Sequence, residues 1–349
     1  NLYGLPPQVI IECIEGFVTR PTSKSTPKTF HDWALQKFGA GITKYFFVPY
    51  QQKIFAYDIT KISASWTGRF VPETSLQAIL KGSLVAPQQE SIGYNSQFYY
   101  PKTGGINFWI TKLAEKIEAP AHTNYTVEQV DLANKLVTFS NGDFEPFDIL
   151  INTLPLDSFL KMLNEPSSVT LSRASDKLLC NSVINFNIGI NRPDLSDKHW
   201  IYLPEEQFIP YRLGFYHNFS KAMVPAGCSS LYGEIAYLKK PPTHLKDLVD
   251  TACKQVQSIC TFSQEEIVVQ KVIPIKHAYV IYDFWREKNI ANIHQNLIDQ
   301  NVYSIGRYGA WKYASMQESL LDGKAMAETL LEHENIIAPY KNINLCKEL

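Results

Sequence analysis

The sequence predicts a mixed fold of two lobes, α/β in one and α+β in the other. Three observations carry that expectation. Phe147 to Leu154 is a nearly continuous apolar run, the pattern of a strand covered on both faces. Val302 to Arg307 reads as a second short strand that stops at Gly306 and gives way to a helix from about Ser315 to Glu332. Between about 180 and 283, alternating β-branched and aromatic stretches recur around one helical pattern, which describes an antiparallel sheet with a helix against it.

Taken in order, Val9 to Phe17 is a short helical piece, followed by a loop rich in Pro, Ser, Thr and Lys. Thr29 opens the next helix, with Asp32 three residues on as its capping-box partner. Phe30, Trp33, Ala34 and Phe38 share one face of it, and Gly39 is placed to end it. A glycine turn at Gly39-Ala40-Gly41 and an aromatic run to Tyr50 come next. The stretch Tyr99 to Gly105 leads into a helix with Ile106, Trp109, Ile110, Leu113 and Ile117 at helical spacing. Two strands, about 125 to 130 and 135 to 139, precede an Asn141-Gly142 turn. Within the antiparallel region the strands are Val183 to Ile190, His199 to Leu203, Tyr211 to Tyr216, Ser230 to Tyr237 and Glu266 to Val272, with the helix at Leu245 to Cys260. In the last helix Met316, Leu320, Ala327 and Leu331 share a face.

Composition narrows the function. The 349 residues suggest about two domains. A hydrophobic share of 45% against 19% charged is the balance of a globular protein. The net charge of −1 and the dispersed Lys and Arg exclude a nucleic-acid surface, which needs a basic stripe. No apolar run approaches the roughly 18 residues of a membrane span. The six cysteines are scattered without a CxxC pair, which points to reduced thiols in a cytoplasmic protein. No HExxH, no Cys/His cluster and no GxSxG is present, so the reading includes no metal and no serine nucleophile. His217 and His277 read as structural histidines, and Trp66 and Trp200 as core.

The motif with chemical content is Ile305-Gly306-Arg307-Tyr308-Gly309 running through Ser315 and Met316. A strand ending at glycine before a helix collects backbone N–H groups and a positive dipole end, although many α/β loops share the pattern. The segment Tyr303 to Leu321 resembles the closing flavin motif of the UDP-galactopyranose-mutase-like and protoporphyrinogen-oxidase-like flavoproteins of the FAD-dependent amine-oxidase superfamily. Three other stretches resemble that family in the same order. They are Tyr100-Pro101-Lys102-Thr103-Gly104-Gly105-Ile106, the block Asn124 to Leu156 ending in Thr153-Leu154-Pro155, and the opening Asn1 to Pro7.

The resemblance implies a partial Rossmann-like FAD-binding domain (97–160 and 291–349) and an antiparallel-sheet substrate or cap domain (1–96 and 161–290). It implies FAD as cofactor, with Gly306 and Arg307 at the phosphates and ribityl chain, and Ser315 and Met316 under the flavin ring. Val130 would lie beside the adenine, with Thr153, Gly104 and Gly105 completing the cofactor contacts. On the substrate side, Arg212 would grip an anionic group and Tyr279 and Tyr282 would wall the pocket, the competing reading being a strand arginine and core tyrosines. The resemblance also implies a small-molecule substrate, a sugar nucleotide or an amine. The chemistry it implies is either hydride transfer to the flavin or the ring contraction of a mutase, the mutase-like relatives being linked to surface polysaccharide synthesis.

Two departures qualify it. The family opens with a βαβ unit carrying GxGxxG, which this sequence lacks, so the chain reads as N-terminally incomplete or as completed by a partner chain supplying the missing strands. The alternative is a non-catalytic subunit or sugar-nucleotide-binding remnant that no longer binds flavin. Relatives also carry Pro where this chain has Val280, which puts the rigidity of that loop in question.

Overall fold

The computed structural model describes residues 1–22, 25–67, 71–86, 98–119, 121–164 and 168–332. Helices α1 (Pro7–Val18), α2 (Phe30–Ile42) and α3 (Val48–Phe55) open the chain, with a π-helical turn over Thr43–Phe47 joining the last two. α4 (Leu76–Leu84) and α5 (Asn107–Ala114) follow, then strands β1 (Val127–Asp131), β2 (Leu136–Phe139), β3 (Phe144–Pro146) and β4 (Leu150–Asn152). After α6 (Leu156–Met162) and α7 (Ser168–Ser175) come β5 (Ser182–Ile190), β6 (Trp200–Tyr202) and β7 (Arg212–Gly214). The one-turn α8 (Tyr216–Phe219), β8 (Ser229–Tyr237), α9 (Leu245–Cys260) and β9 (Ile267–Ile275) are next. α10 (Phe284–Ile298), β10 (Val302–Ser304), the one-turn α11 (Gly306–Gly309) and α12 (Met316–Glu332) close the described chain.

The chain divides into two compact units, 1–122 with 179–287 and 123–178 with 288–349. Both are discontinuous. Relative to the boundaries expected from sequence, 98–122 groups with the first unit, and 161–178 and the short stretch 288–290 group with the second. Local contacts account for the two longer shifts. Phe98 meets His199 edge-on and Trp200 and Phe219 at a tilt, and the Ser220 hydroxyl donates to the Lys102 carbonyl at 2.6 Å. α6 packs against α7 and β1.

Unit 1 is built on a fully antiparallel sheet of order β6-β7-β8-β5-β9. One face carries Ile184, Phe186, Ile188, Leu213, Leu231 and Ile235 and is buried against Val249, Ala252, Cys253 and Val256 of α9. A second core gathers Phe30, Phe38, Phe47, Phe55, Ile59 and Ile62, with Trp33 and Trp66 packed on it. The capping box at Thr29 and Asp32 forms as its spacing predicts. The glycine turn does not take the expected form. Gly39 breaks the helix with φ of 79°, but the chain then re-enters helix and stays helical through the aromatic run to Phe55. The reason is the crossing with α1. A Cβ on Gly39 would stand 2.0 Å from the Gly16 carbonyl oxygen, and one on Gly41 would stand 2.2 Å from that of Glu12. Only glycine lets the two backbones approach this closely.

Unit 2 contains a β1-β2-β3 antiparallel sheet and a parallel pair, β10-β4. The Asn141-Gly142 turn joins β2 to β3, with Gly142 at φ of 87°. The expectation that Phe147 to Leu154 is covered on both faces is not met. Its strand is three residues long, Ile151 is 44% exposed, and β10 is the strand paired with it. With β10 as its one partner among the described residues, β4 is not enclosed in a larger parallel sheet.

Candidate functional site

Strand alternation puts a polar and aromatic row on the face of the unit 1 sheet opposite α9. Tyr202, Arg212, Glu234 and Asn185 are successive cross-strand partners, and Trp200, Gly214, Tyr232 and Asn187 form the next row. Gly214 has no side chain because the Tyr232 ring fills that space, 2.1 Å from where a Cβ would stand. Tyr232 in turn packs at a tilt against Tyr216, with ring centroids 4.8 Å apart.

Arg212 is the centre of this face. Its Nε donates to Glu234 Oε2 and its Nη2 to Glu234 Oε1, both at 2.8 Å, a bidentate pair. Nη2 also donates to the Tyr279 hydroxyl at 3.4 Å, so two of the predicted substrate residues meet. Burial opposes the Arg212 cation, but Tyr279 and Glu234 outweigh it and its pKa is raised. Burial also pushes the Tyr50, Tyr211 and Tyr232 phenols up, and that of Tyr216 to about 12, so these hydroxyls stay protonated at neutral pH.

The surroundings hold Arg212 in place. Lys53 of α3 donates to the carbonyls of Leu203, Glu205 and Pro210, clamping the loop that feeds β7, while burial pulls its ammonium down to about 8. Asn181 is fully buried. Its amide donates to the Ile54 carbonyl and accepts from the Tyr279 N–H at 2.8 Å. Tyr282 is not brought to Arg212. Its ring lies under the Arg286 guanidinium at 3.9 Å, and its carbonyl accepts from the Ser63 N–H. His217 is a buried structural histidine as expected, bonded to Ser230 and Ser196. Trp200 departs from its core reading, since it sits half-buried in the aromatic cluster of Phe98, His199 and Phe219. The sequence reading missed Glu234, Tyr202 and Tyr232. A charged residue inside the alternating strand Ser229–Tyr237 was the available signal.

In unit 2 the predicted cofactor residues Thr153 and Gly306 lie at the carboxyl ends of the adjacent parallel strands β4 and β10. That is where ligands bind in open parallel sheets. Buried Asn152 braces the junction by donating to the Ser304 hydroxyl at 2.7 Å and accepting from the Leu154 N–H at 3.0 Å. Gly306 has φ of 76° and nothing within 4 Å on its Cβ side. Its N–H is engaged, however, donating to Asp322 Oδ2 at 3.1 Å, while Lys312 holds the other Asp322 oxygen at 2.7 Å. Arg307 donates to the Ala314 carbonyl at 2.6 Å and lies over the Tyr313 ring. Ser315 forms a reciprocal cap with Glu318 at the start of α12, and Met316 is exposed. Val130 is buried, with its carbonyl accepting from the Asn164 N–H at 2.9 Å. Gly104 and Gly105, both at positive φ, fall in unit 1, where Gly105 lies against Met223.

No family model matches the sequence. The chain is similar to a solved structure of reduced UDP-galactopyranose mutase, with 25% identity and a TM-score of 0.88, covering 100% of this chain and 79% of that one. A structure from Exiguobacterium sp. 255-15 assigned as a protoporphyrinogen oxidase shares the fold at 13% identity and a TM-score of 0.65, covering 94% of this chain and 73% of that one. An oxidoreductase from Methanosarcina mazei shares it at 9% identity and 0.54, covering 93% and 73%. The chain shares its fold with these three structures, a set consistent with an FAD-dependent amine-oxidase-like superfamily. Within it, the mutase structure is matched along the whole chain. No helix among the described residues is long and apolar enough to cross a membrane, and no group of His, Cys, Asp and Glu there is placed to hold a metal.

Proposed function

We propose that this protein is an FAD-dependent oxidoreductase of the amine-oxidase-like kind, acting on a small anionic substrate held at the Arg212 face of unit 1. The observation that carries this reading is the match to UDP-galactopyranose mutase over the full chain at a TM-score of 0.88. Arg212 and the protonated tyrosines around it supply hydrogen-bond donors, which suit a phosphate or carboxylate better than an amine. A sugar-nucleotide substrate would be consistent with the surface polysaccharide role that the family resemblance implies.

Unit 2 is the proposed cofactor lobe. The open side of Gly306, the exposed Thr153 and the exposed Met316 fit a flat ring or sugar chain lying across the strand ends. The fit to phosphates is poorer, because Asp322 already takes the Gly306 N–H and α12 is capped by its own Ser315 and Glu318. When bound, FAD would supply the electron-transfer chemistry, while the protein supplies binding and orientation. The exposed flank of β4 is consistent with further strands completing this lobe, from elsewhere in the protein or from a partner.

The test is the visible absorption spectrum of the purified protein before and after adding FAD. Protein-bound flavin bands support the proposal. A colourless protein unaffected by FAD overturns it and leaves the non-catalytic subunit or sugar-nucleotide-binding module, a reading that the engaged Gly306 N–H favours.

A further inference from the structure

The bidentate pair on the unit 1 sheet has a consequence for how Arg212 meets a ligand. Arginine carries its donors in a rigid planar fork, and which edge it presents depends on what holds the other. Here Nε and Nη2 are both committed to Glu234, across the β7–β8 register pair Arg212↔Glu234. Nη2 leans further to the Tyr279 hydroxyl at 3.4 Å. Nη1 is therefore the atom left to meet a ligand. The Arg212 side chain is 25% exposed and that of Glu234 is 11% exposed, so Glu234 is the deeper partner and Arg212 the more exposed one.

We propose that Glu234 is a positioning residue: it fixes the Arg212 guanidinium so that the Nη1 edge faces the ligand, and the site accepts an anion through a single-edge contact. The inference rests on the reading of Arg212 as the anion grip. Glu234 does not touch the ligand itself. It also neutralises Arg212, so the face is not a trap for any anion; recognition depends on donor direction, supplied by Nη1 and the tyrosine hydroxyls. Electrostatics alone predicts the opposite role for Glu234, since a carboxylate behind the arginine repels an incoming diphosphate.

That opposition of sign gives the test. Uridine diphosphate is titrated by calorimetry into the full chain and into the variants Glu234→Gln, Glu234→Asp and Arg212→Gln. The expected result is a loss of affinity of about tenfold or more for Glu234→Gln, about 1.4 kcal/mol, although that variant is one charge more positive. An electrostatic counterweight would give the opposite sign, and a purely structural residue would lower the melting temperature along with the affinity, whereas the positioning role lowers affinity with the melt unchanged. Glu234→Asp keeps the charge and withdraws the carboxylate by one methylene. It carries the same expectation and keeps the test decisive if the amide variant does not fold. Unchanged or tighter binding by the Glu234 variants, with binding lost in Arg212→Gln, overturns the positioning role and leaves the arginine grip standing. Binding retained by Arg212→Gln overturns the grip itself.

Discussion

Asn181 and Val280 make opposite predictions although both belong to the pinned segment beside Arg212. Asn181 is fully buried, and its side chain is bonded to the Ile54 carbonyl and the Tyr279 N–H. Replacing it with Leu leaves two part-buried backbone groups without this partner, and we expect a loss of about 2–3 kcal/mol in urea unfolding. Val280 sits in a bridge to Cys180 that is closed by the Asn181 N–H to the Tyr279 carbonyl at 3.0 Å and the Ile281 N–H to the Leu179 carbonyl at 2.9 Å. Neither bond uses the Val280 N–H. Those bonds supply the rigidity that a proline would otherwise bring, and Val280→Pro should stay within about 1 kcal/mol of the parent. Cys253 and Cys260 give a pH dependence. Burial pushes both thiols up to about 11. The folded protein therefore keeps protons that the unfolded chain releases, so stability is full below pH 9 and is lost as pH rises towards 11. Thermal melts at pH 8 and 10.5 should show a shallower loss in the double alanine variant than in the parent.

Glycines decide how two elements meet. At the α1–α2 crossing, Gly41→Ala forces a methyl group against the Glu12 carbonyl, where the Cβ would stand at 2.2 Å. Backbone cannot yield as a side-chain tip can, and we expect a cost of about 3 kcal/mol, at the upper end for overpacking. Gly323 lies inside α12 with nothing within 4 Å of its Cβ position. There alanine only improves helix propensity, and Gly323→Ala should stabilise by about 0.5–1 kcal/mol. Differential scanning calorimetry of the two variants separates close packing from propensity. If both are neutral, the crossing is looser than this geometry.

Across the molecule, apolar surface is unevenly covered. Ile106, Phe108, Ile110 and Leu113 of the α5 segment in unit 1 are all exposed. So are Ile151, Leu154, Met316, Leu320 and Leu331 in unit 2. Exposed sets of this size mark contact surfaces, and a two-stranded sheet with open edges invites further strands. The described chain on its own should therefore associate with rising concentration in sedimentation velocity. A monomeric species with one cooperative melt would show that these surfaces are tolerated bare.

Local signals carried much of the fold into view from sequence. The Thr29 box, the helix over Leu245–Cys260, the hairpin glycine and the alternation of β5 and β8 are set by interactions within a few residues, so spacing reveals them. The Gly306 loop was legible in part, because a strand ending at glycine is a local pattern. Its Asp322 contact was not, since the partner sits 16 residues away on the next helix. The same holds for Arg212. Its residue type suggested an anion grip, but Glu234 becomes its partner only when β7 and β8 pair, 22 residues apart. Tyr279 and Tyr282 read alike in sequence and are separated by the fold, one turned to Arg212 and the other under Arg286. Periodicity decides which residues form a strand or a helix. Which side chains share a site is decided by strand register and close packing, because those contacts join residues far apart in the chain.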